Sequence, residues 1–173
     1  MRLSAIAATA LLSVSVSLTS SAATRTWSQT GNGSSGPWTN GALWSPSGVP
    51  QPVDDIKVTS SGSYSCSTGG NFTIHSLTAG GSSGGKTVEV SASTALAMTT
   101  KGTMNSNSTL SVRGVVSGGR LDINSGATLR LRTGSMVTGD ESINLTGGFL
   151  LNEGSELRNR DVVLADTGGM DQK

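Results

Sequence analysis

The sequence predicts an all-β protein coiled into a β-solenoid, in which short strands stack turn upon turn around one core. Ser, Thr and Gly make up 74 of the 173 residues, while charged residues reach 13% and aromatic residues 3%, a composition that disfavours an α-helical domain. Apolar residues recur in pairs two positions apart, which places both side chains on one face of a strand. Similar segments return after 19 and 29 residues, as is typical of solenoid turns.

Residues 1–23 have the pattern of a secretory signal peptide. Arg2 supplies a positive start, an apolar stretch covers Leu3–Leu18, and the small residues that end the segment suit cleavage after Ala23. The apolar stretch is interrupted by Ser and Thr and is too short to cross a bilayer comfortably. The alternatives are an ordinary N-terminal helix or a retained anchor. The pattern predicts a protein secreted to the extracellular space or cell surface, with no transmembrane segment in the mature chain.

Residues 24–75 form a Trp- and Pro-rich N-terminal cap that includes the first strands. All three tryptophans, Trp27, Trp38 and Trp44, lie here together with all four prolines of the chain. Gly, Asn, Ser and Pro between the tryptophans predict loops. We expect the indoles to pack together as a plug over one end of the β structure. The alternative is a platform of aromatic faces that stacks on sugar rings.

Other polar residues of the cap have ordinary structural interpretations. Asp54 and Asp55 precede a strand and are more typical of a turn than of a calcium site, because calcium takes about six to eight oxygen ligands. His75, with Leu77 on the same strand face, is interpreted as a half-exposed residue. Cys66 is the only cysteine, so we expect a buried small residue or a thiol that pairs with another chain. No metal site and no cofactor are predicted.

Residues 76–165 carry the pattern of the solenoid turns. Apolar groups are separated there by Gly, Ser and Asn, and they are Val88/Val90, Leu96/Met98, Leu110/Val112, Leu121/Ile123, Leu129/Leu131, Ile143/Leu145 and Leu157 with its neighbours. No pair can bury itself alone, so stacked turns must share one core. We expect about three or four turns of two or three strands each. A β-sandwich of short hairpins is the alternative fold.

Internal likeness supports the solenoid. The segment from Asn105 resembles the segment from Asn124, and the segment from Gly118 resembles the segment from Gly147. Asparagines at the bends are expected to stack in a ladder that shares side-chain hydrogen bonds. Its expected members are Asn105, Asn124, Asn144 and Asn152. Residues 166–173 form a tail or mark a truncation point, and because no cap is recognisable there we expect a segment of a longer protein.

The cap and the turns together resemble bacterial exported β-helix proteins. The resemblance rests on W-x(10)-W-x(5)-W-S-x-x-G-V-P followed by D-D-I-x-V, and on the Gly/Ser/Leu repeats, and it covers residues 27–160. These features are similar to autotransporter passenger domains and related adhesins. The resemblance implies a right-handed parallel β-helix and a role in surface display or adhesion.

No catalytic residues are predicted. Glu153 and Glu156 are interpreted as pointing into water rather than as the paired carboxylates of a glycosidase. Arg130 and Arg132 alternate with leucines and therefore share the outward face of one strand, where they are solvated or hold an acidic polysaccharide.

The sequence therefore favours a structural or adhesive exported β-solenoid without catalysis. The alternative is a carbohydrate-binding or polysaccharide-processing β-helix, with contacts to sugar made by Trp27, Trp38, Trp44, Arg130 and Arg132. The expected partner is an extracellular glycan or a host or cell-surface component. Nucleic acid is not expected, because the formal net charge is only +1.

Overall fold

The computed structural model describes residues 21–81, 83–158, 160–165 and 169–172, so most of the predicted signal peptide lies outside the described residues. The described chain is all-β, with 56% strand and 2% helix, and its stacked parallel strands form a β-solenoid of about five turns. The predicted fold class is confirmed. The expectation of three or four turns was too low, because the cap itself contributes strands to the stack.

The strands are short, and seventeen of them lie in the described residues. Those of the cap and the first turns are β1 (Thr24–Trp27), β2 (Ser34–Pro37), β3 (Trp44–Ser45), β4 (Asp55–Val58), β5 (Tyr64–Ser67), β6 (Phe72–Ala79) and β7 (Lys86–Val90), with a 3₁₀ turn at Gly41–Leu43. The later strands are β8 (Ala95–Met104), β9 (Ser108–Val112), β10 (Val115–Asn124), β11 (Ala127–Leu131), β12 (Met136–Thr138), β13 (Ile143–Thr146), β14 (Phe149–Asn152), β15 (Glu156–Arg158), β16 (Val162–Ala165) and β17 (Gly169–Gln172).

Two sheets run along the solenoid. Sheet A contains ten strands, and sheet B contains β2, β5, β7, β9, β11, β14 and β17 in that order. Every strand pair of the described chain is parallel except β1 with β3. The first half of β10 pairs with β12 and its second half with β13, so a turn gives two stretches to sheet A and one to sheet B. Parallel pairing excludes the β-sandwich alternative, whose hairpins would be antiparallel.

One apolar core fills the inside of the coil. The six complete apolar pairs named from the sequence are all buried, which confirms the inward face of those strands, whereas Leu157 is only partly buried. In sheet B, Cys66, Val88, Leu110, Leu129 and Leu150 stack on successive turns in register. Cys66 is thus a buried small residue, and burial raises the pKa of its thiol to about 12. A thiol in this state is inert at neutral pH.

One of the two internal likenesses marks a full turn. Ser108 of β9 pairs with Ala127 of β11, which reproduces the 19-residue spacing. The likeness between the segments from Gly118 and Gly147 is not a turn, because Leu121 pairs with Ile143 rather than with Leu150. Gly118 lies at a bend within sheet A, whereas Gly147 lies between β13 and β14, at the bend into sheet B.

Two details of the expected side-chain placement change at the bends. A register shift between Ile74 and Ser76 inverts the alternation of β6, so Leu77 is buried while His75 is 48% exposed. The asparagine ladder is reduced to a single bond, in which the Asn124 amide donates to Oδ1 of Asn105 at 2.9 Å. The other two expected members, Asn144 and Asn152, bond Asp122 and Ser155 instead.

The two ends of the described stack differ. At the N-terminal end the tryptophans cover the core, and β1 pairs with β3 across them. In the last described turn of sheet A, Leu164 occupies the core-facing position beneath Leu145 but is 53% exposed. Among the described residues, the tryptophans therefore cover the core at the cap, whereas Leu164 of β16 is left largely exposed.

Candidate functional site

The tryptophans form the expected plug. Trp27 and Trp38 are fully buried and Trp44 is 2% exposed. The Trp44 ring meets the other two edge to face, with centroids 5.0 and 5.5 Å away, and its Nε1 donates to the Trp38 carbonyl at 3.2 Å. No indole face is open to a sugar ring, so the proposed sugar contacts at Trp27, Trp38 and Trp44 are corrected. The physical reason is that the cap has few other large apolar side chains with which to close the core.

A buried ion pair within the cap ties β1 to the turn that precedes β4. Asp54 is fully buried, and its carboxylate accepts from Arg25 Nε at 2.5 Å. It also accepts from the backbone N–H groups of Gln51 at 2.8 Å and Ala23 at 3.1 Å. Asp54 therefore shapes a turn, as expected, and also satisfies a cation that the sequence did not single out.

Asp55 and His75 come together on the outside of sheet A. Oδ1 of Asp55 lies 2.9 Å from His75 Nδ1 and also accepts from the Ser76 hydroxyl. They line an open groove of about 430 Å³, whose other charged residues are Lys101, Arg120 and Glu141. Asp55, Ser76, Lys101 and Arg120 are neighbours in register on four successive strands, which is why residues so distant in sequence meet.

The pKa of Asp55 provides a test of this geometry. The Ser76 hydroxyl, followed by His75, holds that pKa below its usual value of 3.8. Because the folded pKa is the lower one, the interaction stabilises the fold above pH 3.8 and is lost as the pH falls through the folded value. We expect Ser76→Ala to move the Asp55 pKa up towards 3.8, measured by NMR titration of the side-chain carboxyl carbon. An unchanged Asp55 pKa in this variant, with that of Glu153 as the internal reference, would contradict the contact.

Arg130 and Arg132 share an outward face, as expected, but they share it with a carboxylate. The Glu153 carboxylate accepts from Arg130 at 2.6 Å and from Arg132 at 3.0 Å. These contacts, with Arg130 first, hold the pKa of Glu153 below its usual value. Glu153 is therefore held by two arginines and does not point freely into water, whereas Glu156 is 54% exposed and lies 2.6 Å from Arg158.

A second ion pair extends this cluster along sheet B. Arg113 lies 3.5 Å from Glu89 on the neighbouring turn. An open depression of about 380 Å³ lies where the strands of sheet B end, and it is lined by Arg113, Arg132 and Glu153, which directly follow β9, β11 and β14. We call Glu89, Arg113, Arg130, Arg132 and Glu153 the arginine cluster. Its three cations and two anions leave one formal positive charge.

A continuous row of hydroxyl side chains crosses the outer face of sheet B beside the arginine cluster. Each member pairs in register with the next one, and we call the set the hydroxyl row: Ser35, Ser65, Thr87, Thr109 and Thr128. Among the described residues, none of the five hydroxyls makes a side-chain hydrogen bond. This face therefore presents hydroxyl donors and acceptors that are not used within the described chain. They are spaced as neighbouring strands are, about 4.8 Å apart.

Phe149 occupies the next position of the hydroxyl row. It pairs with Thr128, points outward because its neighbour Leu150 is buried, and is 54% exposed. The other five aromatic residues of the chain are buried. Neither the row nor the exposure of Phe149 was predicted from the sequence. The available signal was the alternation of β14, where Leu150 takes the core position and leaves the preceding aromatic residue outside.

The fold and these outward rows define the chain as a β-solenoid with two polar, open faces. No protein-family model matches the chain, no curated protein matches it significantly, and no solved structure does. Within the described residues, no group of three or more His, Cys, Asp or Glu side chains is placed to hold a metal ion. In the same part of the chain, no helix has the length and apolarity needed to cross a membrane.

Proposed function

We propose that the protein is an exported β-solenoid with a structural and adhesive role and no catalysis. The observation that carries the proposal is the pairing of one continuous core with outward rows that repeat in register on successive turns. A stack of this kind is a stiff support for an extended contact surface, because each turn is held by the next. The signal-peptide pattern of residues 1–23 and the resemblance to bacterial surface proteins support export to the extracellular space or cell surface.

The experiment has two readouts on the full chain produced in a bacterial host. We expect the protein in the exported fraction with an intact mass that lacks residues 1–23, whereas Leu11→Arg within the apolar stretch retains the full-length form inside the cell. We also expect beads coated with the exported protein to adhere to immobilised extracellular polysaccharides or matrix proteins. Full-length protein inside the cell, or adhesion no greater than that of the heat-unfolded protein, would overturn the proposal.

Polysaccharide processing is the second candidate, and the groove on sheet A favours it. With Asp55 holding Nδ1 of His75, the other ring nitrogen is an acceptor in the tautomer that donates to the carboxylate. A histidine so oriented has the chemistry of a general base. Release of reducing ends from a polysaccharide by the wild type, lost in His75→Ala with the fold retained, would establish this candidate. The non-catalytic proposal expects no release from either.

A further inference from the structure

The outer face of sheet B carries three kinds of groups that suit one class of ligand. The hydroxyl row, the exposed ring of Phe149 and the arginine cluster lie on the same face within a few strands of each other. We propose that this face binds an extended, β-linked acidic polysaccharide that runs along the solenoid with about one sugar per turn. The inference rests on the proposed adhesive role and names its ligand and its site.

The hydroxyl row sets the direction and the repeat. Neighbouring strands lie about 4.8 Å apart, so five hydroxyls and Phe149 form a continuous row of six positions in register. The rise per sugar of an extended β-linked glycan is close to this strand spacing, so each sugar meets an equivalent position on each turn. A hydroxyl both donates and accepts, as do the hydroxyls of a sugar, and the five in the row have no partner among the described residues.

Phe149 supplies the apolar contact. A phenyl ring offers a flat apolar face, and the axial C–H face of a sugar ring is the complementary surface. The ring is exposed at the position that follows Thr128 in the row, so a sugar placed over it continues the same line. A protein partner fits less well, because the core of a protein interface requires a cluster of apolar groups, and among the described side chains of this part of the face one large apolar group is exposed.

The arginine cluster selects a carboxylated sugar. Arg130 and Arg132 already hold one carboxylate between them, that of Glu153, so their guanidinium groups are oriented for carboxylate oxygens. The two arginines remain 37% and 32% exposed, and the cluster keeps one formal positive charge. A uronate next to the row therefore meets guanidinium donors that are held in place. A neutral sugar has no carboxylate to balance the formal positive charge of the arginine cluster.

Isothermal titration of the exported full chain tests the proposal with two matched probes. They are the hexamer of β-1,4-linked glucuronate and the hexamer of β-1,4-linked glucose, which differ only in the carboxylate. We expect the glucuronate hexamer to bind more tightly and to lose affinity as salt is raised, because the cluster is solvent-exposed. Phe149→Ala should weaken binding about tenfold and Thr109→Val about three- to tenfold.

Thr103→Val is the matched control, because Thr103 faces outward on sheet A and removal of its hydroxyl leaves sheet B unchanged. Its binding should equal that of the wild type. Equal affinity for both hexamers, or equal weakening by Thr103→Val and Thr109→Val, would overturn the assignment of ligand or face. Failure of both hexamers to bind while the beads still adhere to matrix proteins overturns this inference and leaves the adhesive role standing. If the coated beads adhere to none of the immobilised polysaccharides or matrix proteins, the proposed adhesive function itself is wrong.

Discussion

Replacement of Asp54 by alanine is expected to lower the free energy of unfolding by about 3 to 5 kcal/mol. The carboxylate is fully buried and satisfies the Arg25 guanidinium together with the backbone N–H group of Gln51. Its removal leaves a largely buried cation without its counter-charge and the Gln51 N–H group without its acceptor. Breaking a buried pair from one side costs far more than the pair contributes as a whole, because the remaining charge stays desolvated.

Urea denaturation followed by tryptophan fluorescence measures this effect where it arises, because all three tryptophans lie in the cap. Asp140→Ala is the control, since Asp140 is exposed and its loss should change the free energy of unfolding by no more than about 0.5 kcal/mol. A change below about 1 kcal/mol in Asp54→Ala would mean that Arg25 and the turn before β4 find other partners, and that the ion pair does not hold this turn against β1.

The second large effect is expected for Gly118→Ala, at about 2 to 5 kcal/mol. Gly118 has a φ of +80°, which costs an L-residue about 1 to 2 kcal/mol. A Cβ there would also lie 2.1 Å from the Met98 carbonyl oxygen of the neighbouring turn. That atom belongs to the backbone of a paired strand, so relief requires the turns to move apart, at a cost of about 1 to 3 kcal/mol.

Gly134→Ala separates the two causes. Gly134 has a φ of +77°, but a Cβ there would meet nothing within 4 Å. Its substitution should therefore cost only the conformational part, about 1 to 2 kcal/mol. Both variants are compared by far-UV circular dichroism in urea, which reports the strands rather than the cap. Equal losses in the two variants would show that the close approach of the turns at Gly118 contributes nothing.

The strand faces were predictable because each strand has few inward positions and apolar side chains fill most of them. Leu110 and Val112, for example, are the large apolar residues of their segment, and only the core can take them. The turn length was harder to predict. Gly118–Gly119 and Gly147–Gly148 look alike because each pair lets the backbone of one turn approach the next, yet they do so at different bends. The two glycine pairs therefore resemble each other in sequence because they meet the same local steric requirement, although they occupy different positions in the turn.

The hydroxyl row could not be predicted from spacing alone. Its members Thr87, Thr109 and Thr128 follow one another at intervals of 22 and 19 residues, because the bends between strands vary in length. Register across turns is set by pairing, and a chain rich in Ser and Thr offers many false alignments. Arg130 and Arg132 were placed on their common face by alternation, whereas Glu153 belongs to the next turn and joined them only through strand pairing.

The uneven closure of the core has a consequence for how the chain acquires its shape. The cap, which covers one end of the core, comes first in the sequence. Every later turn packs on the turn that precedes it in the chain, as Leu129 does on Leu110. A polypeptide that leaves a narrow pore with its N-terminus in front would thus meet its template in the order of emergence, and each newly laid coil would serve as the seed for its successor. Assembly of this kind relies mainly on contacts between neighbouring turns and keeps only a short stretch unfolded at a time.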